Sequence, residues 1–211
     1  MLNSGDLIEK LNQYFVSVFT EDYRTNMPSA QVLFHGNAAD KLLDITITKD
    51  TVLRKFDSLC TDKAAGADDM AIRVLVELKD VISVPITRII NASIQSGVVL
   101  DEWKLANVTP VHKTGSKGYV GNYHPISLTS QICKLYESII RDAVIDHLDK
   151  HGLIKKTQRG FSKVGSCLNN QIRFLDKVTG HLDADESVDI ICLDFSQAFD
   201  KVPCHTLLLK L

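Results

Sequence analysis

The residues best suited to do chemistry lie near the C-terminal end, in Val188-Asp189-Ile190-Ile191-Cys192-Leu193-Asp194-Phe195-Ser196-Gln197-Ala198-Phe199-Asp200-Lys201-Val202-Pro203. From Ile190 to Leu193 the run is uninterrupted apolar and partly β-branched, which predicts a strand buried on both faces with the Asp194 carboxylate immediately after it. An ionised Asp in such a place needs a partner, because burying it alone costs several kcal/mol. Mg²⁺ is a suitable one: it is a hard ion, held by one or two carboxylates plus substrate phosphates, and a rigid strand end can aim the ligand. The same residues also read as a local device, with Asp194 or Ser196 capping a short helix that begins near Gln197 and ends at Pro203.

The elements that would position this carboxylate occupy a chain of 211 residues, 45% of them hydrophobic, enough for a substantial core in one domain or two small ones. A formal charge of −2 provides no whole-molecule attraction to nucleic acid, so any such binding must come from local patches. The five cysteines (60, 133, 167, 192, 204) contain no C-x-x-C pair and mostly sit in apolar runs, as small buried residues of a reducing compartment would. There is no basic-then-apolar leader pattern, and no apolar run approaches the ~18 residues a membrane span needs. A soluble protein of the cytoplasm or nucleus is expected.

Taken in order, Leu7 to Phe19 has apolar residues at helical spacing and predicts an amphipathic helix. Glu21 to Asp44 reads as a weakly ordered linker. Thr48 is placed to cap a helix carrying Val52, Leu53, Phe56 and Leu59, and Thr61 to Met70 breaks that pattern. Two helical stretches from Ile72 to Ser96 are expected to meet around Pro85, with Gly97 ending the second. Trp103 is an anchor aromatic ahead of a short β-prone piece and a glycine-bounded loop through Lys113, Gly115, Lys117 and Gly118. Ile132 to Lys150 has the clearest helical stripe, with Glu137 and Arg141 spaced to pair on its exposed face and Gly152 as its stop. Ser166 caps a further helix bearing Leu168, Ile172, Leu175 and Val178, and the acidic turn Asp183–Glu186 leads back to the Asp194 segment. There are no internal repeats.

The string Leu-Asp-Phe-Ser-Gln-Ala-Phe-Asp-Lys-Val-Pro from Leu193 to Pro203 closely resembles the first catalytic motif of the reverse transcriptases of non-LTR (LINE-like, jockey/CR1-type) retrotransposons, matching it at each of its defining positions. Three further segments, in the same order as in that family, support the resemblance. Trp103 to Gly115 is similar to its first fingers motif, Gly121 to Ser130 to its Asn-Tyr-Arg-Pro-Ile-Ser-Leu motif, and Gln158 to Cys167 to its Gln-x-Gly-Phe-Arg motif. Lys63 to Asp69 also looks like the family's Lys-x-x-Gly-Pro-Asp-Gly segment, with Ala67 in place of the Pro and Asp69 in place of the second Gly. His124 and Ser162 each stand where the family has an Arg. A neutral imidazole offers one donor where a guanidinium offers a permanently charged fork.

The resemblance implies an α/β (α+β), helix-rich fold, the fingers and partial palm of a right-hand polymerase with its sheet incomplete. Residues 1–47 would be an N-terminal helix and linker, and 48–211 the partial reverse transcriptase domain. It further implies an RNA template, a DNA primer and dNTP as partners and Mg²⁺ as cofactor. Asp194 would be the catalytic metal ligand, helped by the main-chain carbonyl of Phe195. Lys113 and His124 would lie at the triphosphate, and Phe199 would exclude a ribose 2′-OH. Gln158, Arg159, Gly160, Phe161 and Lys163 would contact nucleic acid. Lys104, Lys113 and Lys117 also read simply as solvated loop charges, and the basic residues 155–163 as a solvated loop. The family's later Tyr/Phe-x-Asp-Asp turn and thumb would lie beyond Leu211, and the endonuclease domain upstream, so the chain alone is expected to be an inactive fragment. Two other readings stand beside this one: a non-catalytic RNA-binding or interaction remnant of a retroelement, and a fragment that does not fold stably.

Overall fold

Helix starts in this chain are written locally. Thr48 is extended, and its hydroxyl accepts from the Thr51 N–H at 3.2 Å, satisfying one of the orphan donors of helix α2, Lys49–Asp57. In a computed structural model that describes residues 4–19, 41–42, 45–154, 166–194 and 200–208, the elements run as follows. α1 is Ser4–Val18, α2 is followed by α3 (Ile72–Glu77) and α4 (Lys79–Ser96), and a 3₁₀ turn spans Asp101–Lys104. Then come β1 (Ala106–His112), β2 (Tyr123–Thr129), α5 (Gln131–Lys150), α6 (Cys167–Asp183) and α7 (Cys204–Leu208). The fold is helix-rich α/β, and among the described residues its one sheet is the antiparallel β1–β2 hairpin. The linker predicted over 21–44 lies almost wholly outside the described residues.

The chain divides into two compact units, residues 1–145 with 199–211, and residues 146–198. The core of the first joins Val52 and Phe56 of α2, Leu75 of α3, Ile86 and Ile90 of α4, Trp103, and Cys133, Leu135 and Ile139 of α5. Full burial of one such aliphatic or aromatic side chain is worth about 1.5–3 kcal/mol, and here the helical spacing delivers several onto one surface. Polar contacts fix the register of these elements. The Asn91 amide accepts from the Ile47 N–H (3.0 Å) and donates to the Ile47 carbonyl (2.8 Å), and the Lys55 ammonium reaches Asp142 of α5 at 2.5 Å. Lys79 and Asp57 form a second ion pair. α1 buries Leu11 and Phe15, and lies against β2 and the turn before it.

Four expectations are corrected. The break between α3 and α4 falls at Leu78, while Pro85 lies inside α4. Its exposed ring removes one ladder bond, but Ser83, Ile86, Ile90 and Ser93 are buried on either side of it, and packing holds the helix through the proline. Arg141 donates to Asp142 rather than pairing with Glu137, since Asp142 is already fixed by Lys55. Glu137 instead lies beside the Cys133 thiol, which burial first and that carboxylate second push up to about 11. Of the four described cysteines only Cys133 is buried, and Cys60, Cys192 and Cys204 are exposed.

The fourth correction concerns Ile190–Leu193. Among the described residues it pairs with no strand, and Ile190, Ile191 and Leu193 are 51, 83 and 90% exposed. A strand exists only where a neighbour supplies ladder partners and cover for its faces, and no described segment does so here. In the same unit α6 starts where expected, at Ser166, whose hydroxyl accepts from the Asn169 N–H at 3.0 Å, but Leu168, Ile172 and Leu175 of its stripe are exposed. Among the described residues no helix is long and apolar enough to cross a membrane.

Candidate functional site

Lys113 and His124 are brought together by the β1–β2 hairpin. Val111 stands opposite His124, and His112 opposite Tyr123. The Lys113 N–H donates to the Asn122 carbonyl at 2.8 Å, carrying the pairing one residue further. Side chains alternate across a strand, so Lys113, two residues beyond Val111, shares a face with His124 as its diagonal neighbour. Both residues are exposed. A cation on a flexible stem and an imidazole on one rigid ribbon suit an anionic ligand.

The loop from 113 to 122 is closed by Asn122. The Asn122 amide donates to the Ser116 carbonyl at 2.9 Å, while its backbone holds Lys113 and its N–H donates to the Tyr119 carbonyl at 3.0 Å. Gly115, at φ 85°, has the left-handed backbone that glycine tolerates, and a Cβ there would come within 2.6 Å of that same amide nitrogen. The Tyr123 hydroxyl donates to the Lys117 carbonyl at 3.0 Å, and its ring meets His112 edge-on at 5.2 Å. His112 Nε2 is buried without a hydrogen-bond partner among the described residues. The signal for Asn122 was its place in the Gly-Asn-Tyr string, but only the fold shows it bracing the lysine loop.

The base of the hairpin is seated on the 61–70 loop. Gly66 packs so closely on β2 that a Cβ would lie 2.2 Å from the Thr129 carbonyl oxygen. The Gln131 amide donates to the Ala64 carbonyl at 3.1 Å, and the Asn107 amide to the Gly66 carbonyl at 3.5 Å. Asp69 adopts φ 51°, the left-handed backbone that a glycine would have taken without strain. The Met70 N–H donates to the Asp68 carboxylate at 3.3 Å and steadies that turn. Trp103 stacks on Tyr136 with centroids 4.9 Å apart and closes the other end of β1. Lys104 pairs with Asp101 at 2.7 Å on the exposed surface.

Asp194 belongs to the second unit and is exposed. Among the described residues no three His, Cys, Asp or Glu side chains converge as a metal cluster. As an oxygen donor Asp194 fits a hard divalent ion that takes its remaining ligands from phosphate and water. Phe195, Phe199, Gln158, Arg159, Gly160, Phe161 and Lys163 lie outside the described residues.

Residues 111–211 match the family model described as reverse transcriptase (RNA-dependent DNA polymerase). The chain is 29% identical over 143 residues to the probable RNA-directed DNA polymerase from transposon X-element of Drosophila melanogaster, covering 67% of this chain and 16% of that protein. It is 24% identical over 190 residues to the corresponding protein from transposon BS of the same organism, covering 90% of this chain and 20% of the relative. The chain thus spans no more than about a fifth of the length of these curated relatives. The matched region takes in Lys113, His124 and Asp194, and over it the sequence is similar to reverse transcriptases, as the chain is to the RNA-directed DNA polymerases of these two transposons.

Proposed function

We propose that this chain is the fingers and opening palm segment of a non-LTR, jockey/CR1-like retrotransposon reverse transcriptase, working on an RNA template, a DNA primer and dNTP. The observation that carries the reading is the family match across 111–211, which takes in Lys113, His124 and the string around Asp194. In this reading Lys113 neutralises the incoming triphosphate as a point charge, and His124, on the same hairpin face, donates one hydrogen bond to it. Asn122 keeps the loop closed so that the lysine stem starts from a fixed place. Asp194 supplies an oxygen ligand, Phe195 a main-chain carbonyl beside it, and Phe199 the ring against which a 2′-hydroxyl would clash. The basic residues between 155 and 163 hold template phosphates. Mg²⁺ bound at Asp194 would stabilise charge on the attacking 3′-oxygen and on the leaving pyrophosphate.

The test is a chimera in which residues 111–211 replace the aligned part of the X-element polymerase. Templated dNTP incorporation that disappears with Asp194→Asn and falls with Lys113→Ala is the expected result. Incorporation that survives Asp194→Asn would overturn the role of this carboxylate. Binding of primed RNA by the 211-residue chain is measured alongside against salt, because phosphate contacts make affinity fall linearly on a log–log plot. Salt-insensitive binding, or none, would count against the nucleic-acid reading.

A further inference from the structure

We propose that His147 and His151 form a two-histidine chelating site for a borderline transition-metal ion, with Zn²⁺ as the reference species, at the C-terminal end of α5. They are four residues apart, and therefore on one face of the helix. The geometry does not fray at the helix end: the His151 N–H donates to the His147 carbonyl at 3.2 Å, one residue past Lys150. Gly152, at φ 63°, then turns the chain away, with the Gly152 N–H bonded to the Asp149 carbonyl (3.1 Å) and the Leu153 N–H to the Leu148 carbonyl (2.9 Å). That double closure fixes the backbone under both imidazoles.

The ring centroids are 4.6 Å apart and the planes tilted by 49°. Two imidazoles ligating one ion at ~2.0–2.1 Å per bond, at roughly a right angle or slightly wider, place their centroids about 4.5–5 Å apart. The observed separation of 4.6 Å falls within that range. Both residues are half-buried, which limits the freedom of the rings and lowers the entropy lost on binding. The surroundings favour a cation. The last carbonyls of α5 present the negative end of its dipole, and Asp146 and Asp149 outnumber Lys150 over the final turn. Two nitrogen donors select Zn²⁺, Ni²⁺ or Cu²⁺ over Mg²⁺, whose preference is oxygen. The remaining coordination positions fall to water, since no third His, Cys, Asp or Glu converges there among the described residues. Bound metal would lock the last turn of α5, and so stabilise the folded chain by mass action.

The experiment is titration of the intact chain with ZnCl₂ in the presence of excess Mg²⁺, followed by calorimetry and by the ring ¹H–¹⁵N resonances of the histidines. One equivalent of Zn²⁺ should bind, shifting the ring signals of His147 and His151 together. Affinity should fall at least about tenfold in H147N or H151N, the size of loss seen when ligation is disturbed, and should weaken as protons compete at lower pH. Competition by Mg²⁺, or binding that survives H147N/H151N and is lost in C192S, would overturn the proposal. Because the ring signals are read in the unaltered protein, absence of a joint shift refutes it even if a variant misfolds.

Discussion

Replacing Gly66 with Ala should destabilise the first unit by about 2–4 kcal/mol. The new Cβ would stand 2.2 Å from the Thr129 carbonyl oxygen, 2.5 Å from its carbon and 2.6 Å from the Ser130 Cα. All three are backbone atoms at the junction of β2 and α5, so no side-chain rotation relieves the contact. Loop and strand must separate by about 1 Å to restore close-packed spacing, and overpacking of this kind typically costs about 1–3 kcal/mol. Separation also strains the 3.1 Å bond from Gln131 to the Ala64 carbonyl, worth about 0.5–1.5 kcal/mol. Against a total stability of about 5–15 kcal/mol the combined loss is large. Urea unfolding read by Trp103, the chain's single tryptophan and part of the same core, measures it directly. Gly97→Ala is the control: it meets nothing within 4 Å but forces a side chain to φ 67°, a backbone penalty of roughly 1 kcal/mol. If Gly66→Ala costs no more than Gly97→Ala, the loop is not seated on Thr129 and the clash argument fails.

Gly180→Ala should act in the opposite sense, raising stability by about 0.5–1 kcal/mol, because Gly180 is helical and an added methyl meets nothing; a lower urea midpoint would contradict this. Hydrogen bonds first from Lys55 and then from Arg141 hold Asp142 below the ordinary carboxylate range, so its contribution is present above about pH 4 and lost as pH falls through its lowered value. Stability measured on the acid side should therefore fall less steeply in Asp142→Asn, and an unchanged slope would remove the pair from the account. His124→Arg in the chimeric polymerase should tighten dNTP use by about 1–3 kcal/mol, since a bidentate guanidinium replaces a single donor; an unaltered apparent KM would place His124 away from the triphosphate. Amide exchange should be fast from Ile190 to Leu193 and slow around Ile90 and Leu135, following exposure and missing ladder bonds. Slow exchange in the Ile190 segment would show that it has found a strand partner.

What the sequence by itself determined is what neighbours along the chain decide. Thr48 and Ser166 cap helices because their hydroxyls reach an N–H three residues on, and Gly97 and Gly152 end helices because their own φ is free to turn positive. The stripes of α1, α2 and α5 follow from a fixed helical period, so the helices themselves were legible before any fold was known, and Leu11, Phe15, Val52, Phe56, Leu135 and Ile139 are buried as that period implies, while Ile8 and Phe19 stay exposed. The family resemblance was carried by short strings of the same local kind. Tertiary structure alone decided the rest, because the outcome lay with partners distant in sequence. Ile190–Leu193 has the composition of a buried strand, but a ladder needs a second strand, and none is described beside it. Pro85 has the marks of a helix break, but burial on both sides overrules it and the break moves to Leu78. Gly66 and Asn122 stand in the sequence only as members of motif-like strings. One is the seat of β2 and the other the brace of the lysine loop, because packing, unlike propensity, depends on what the chain brings back from elsewhere.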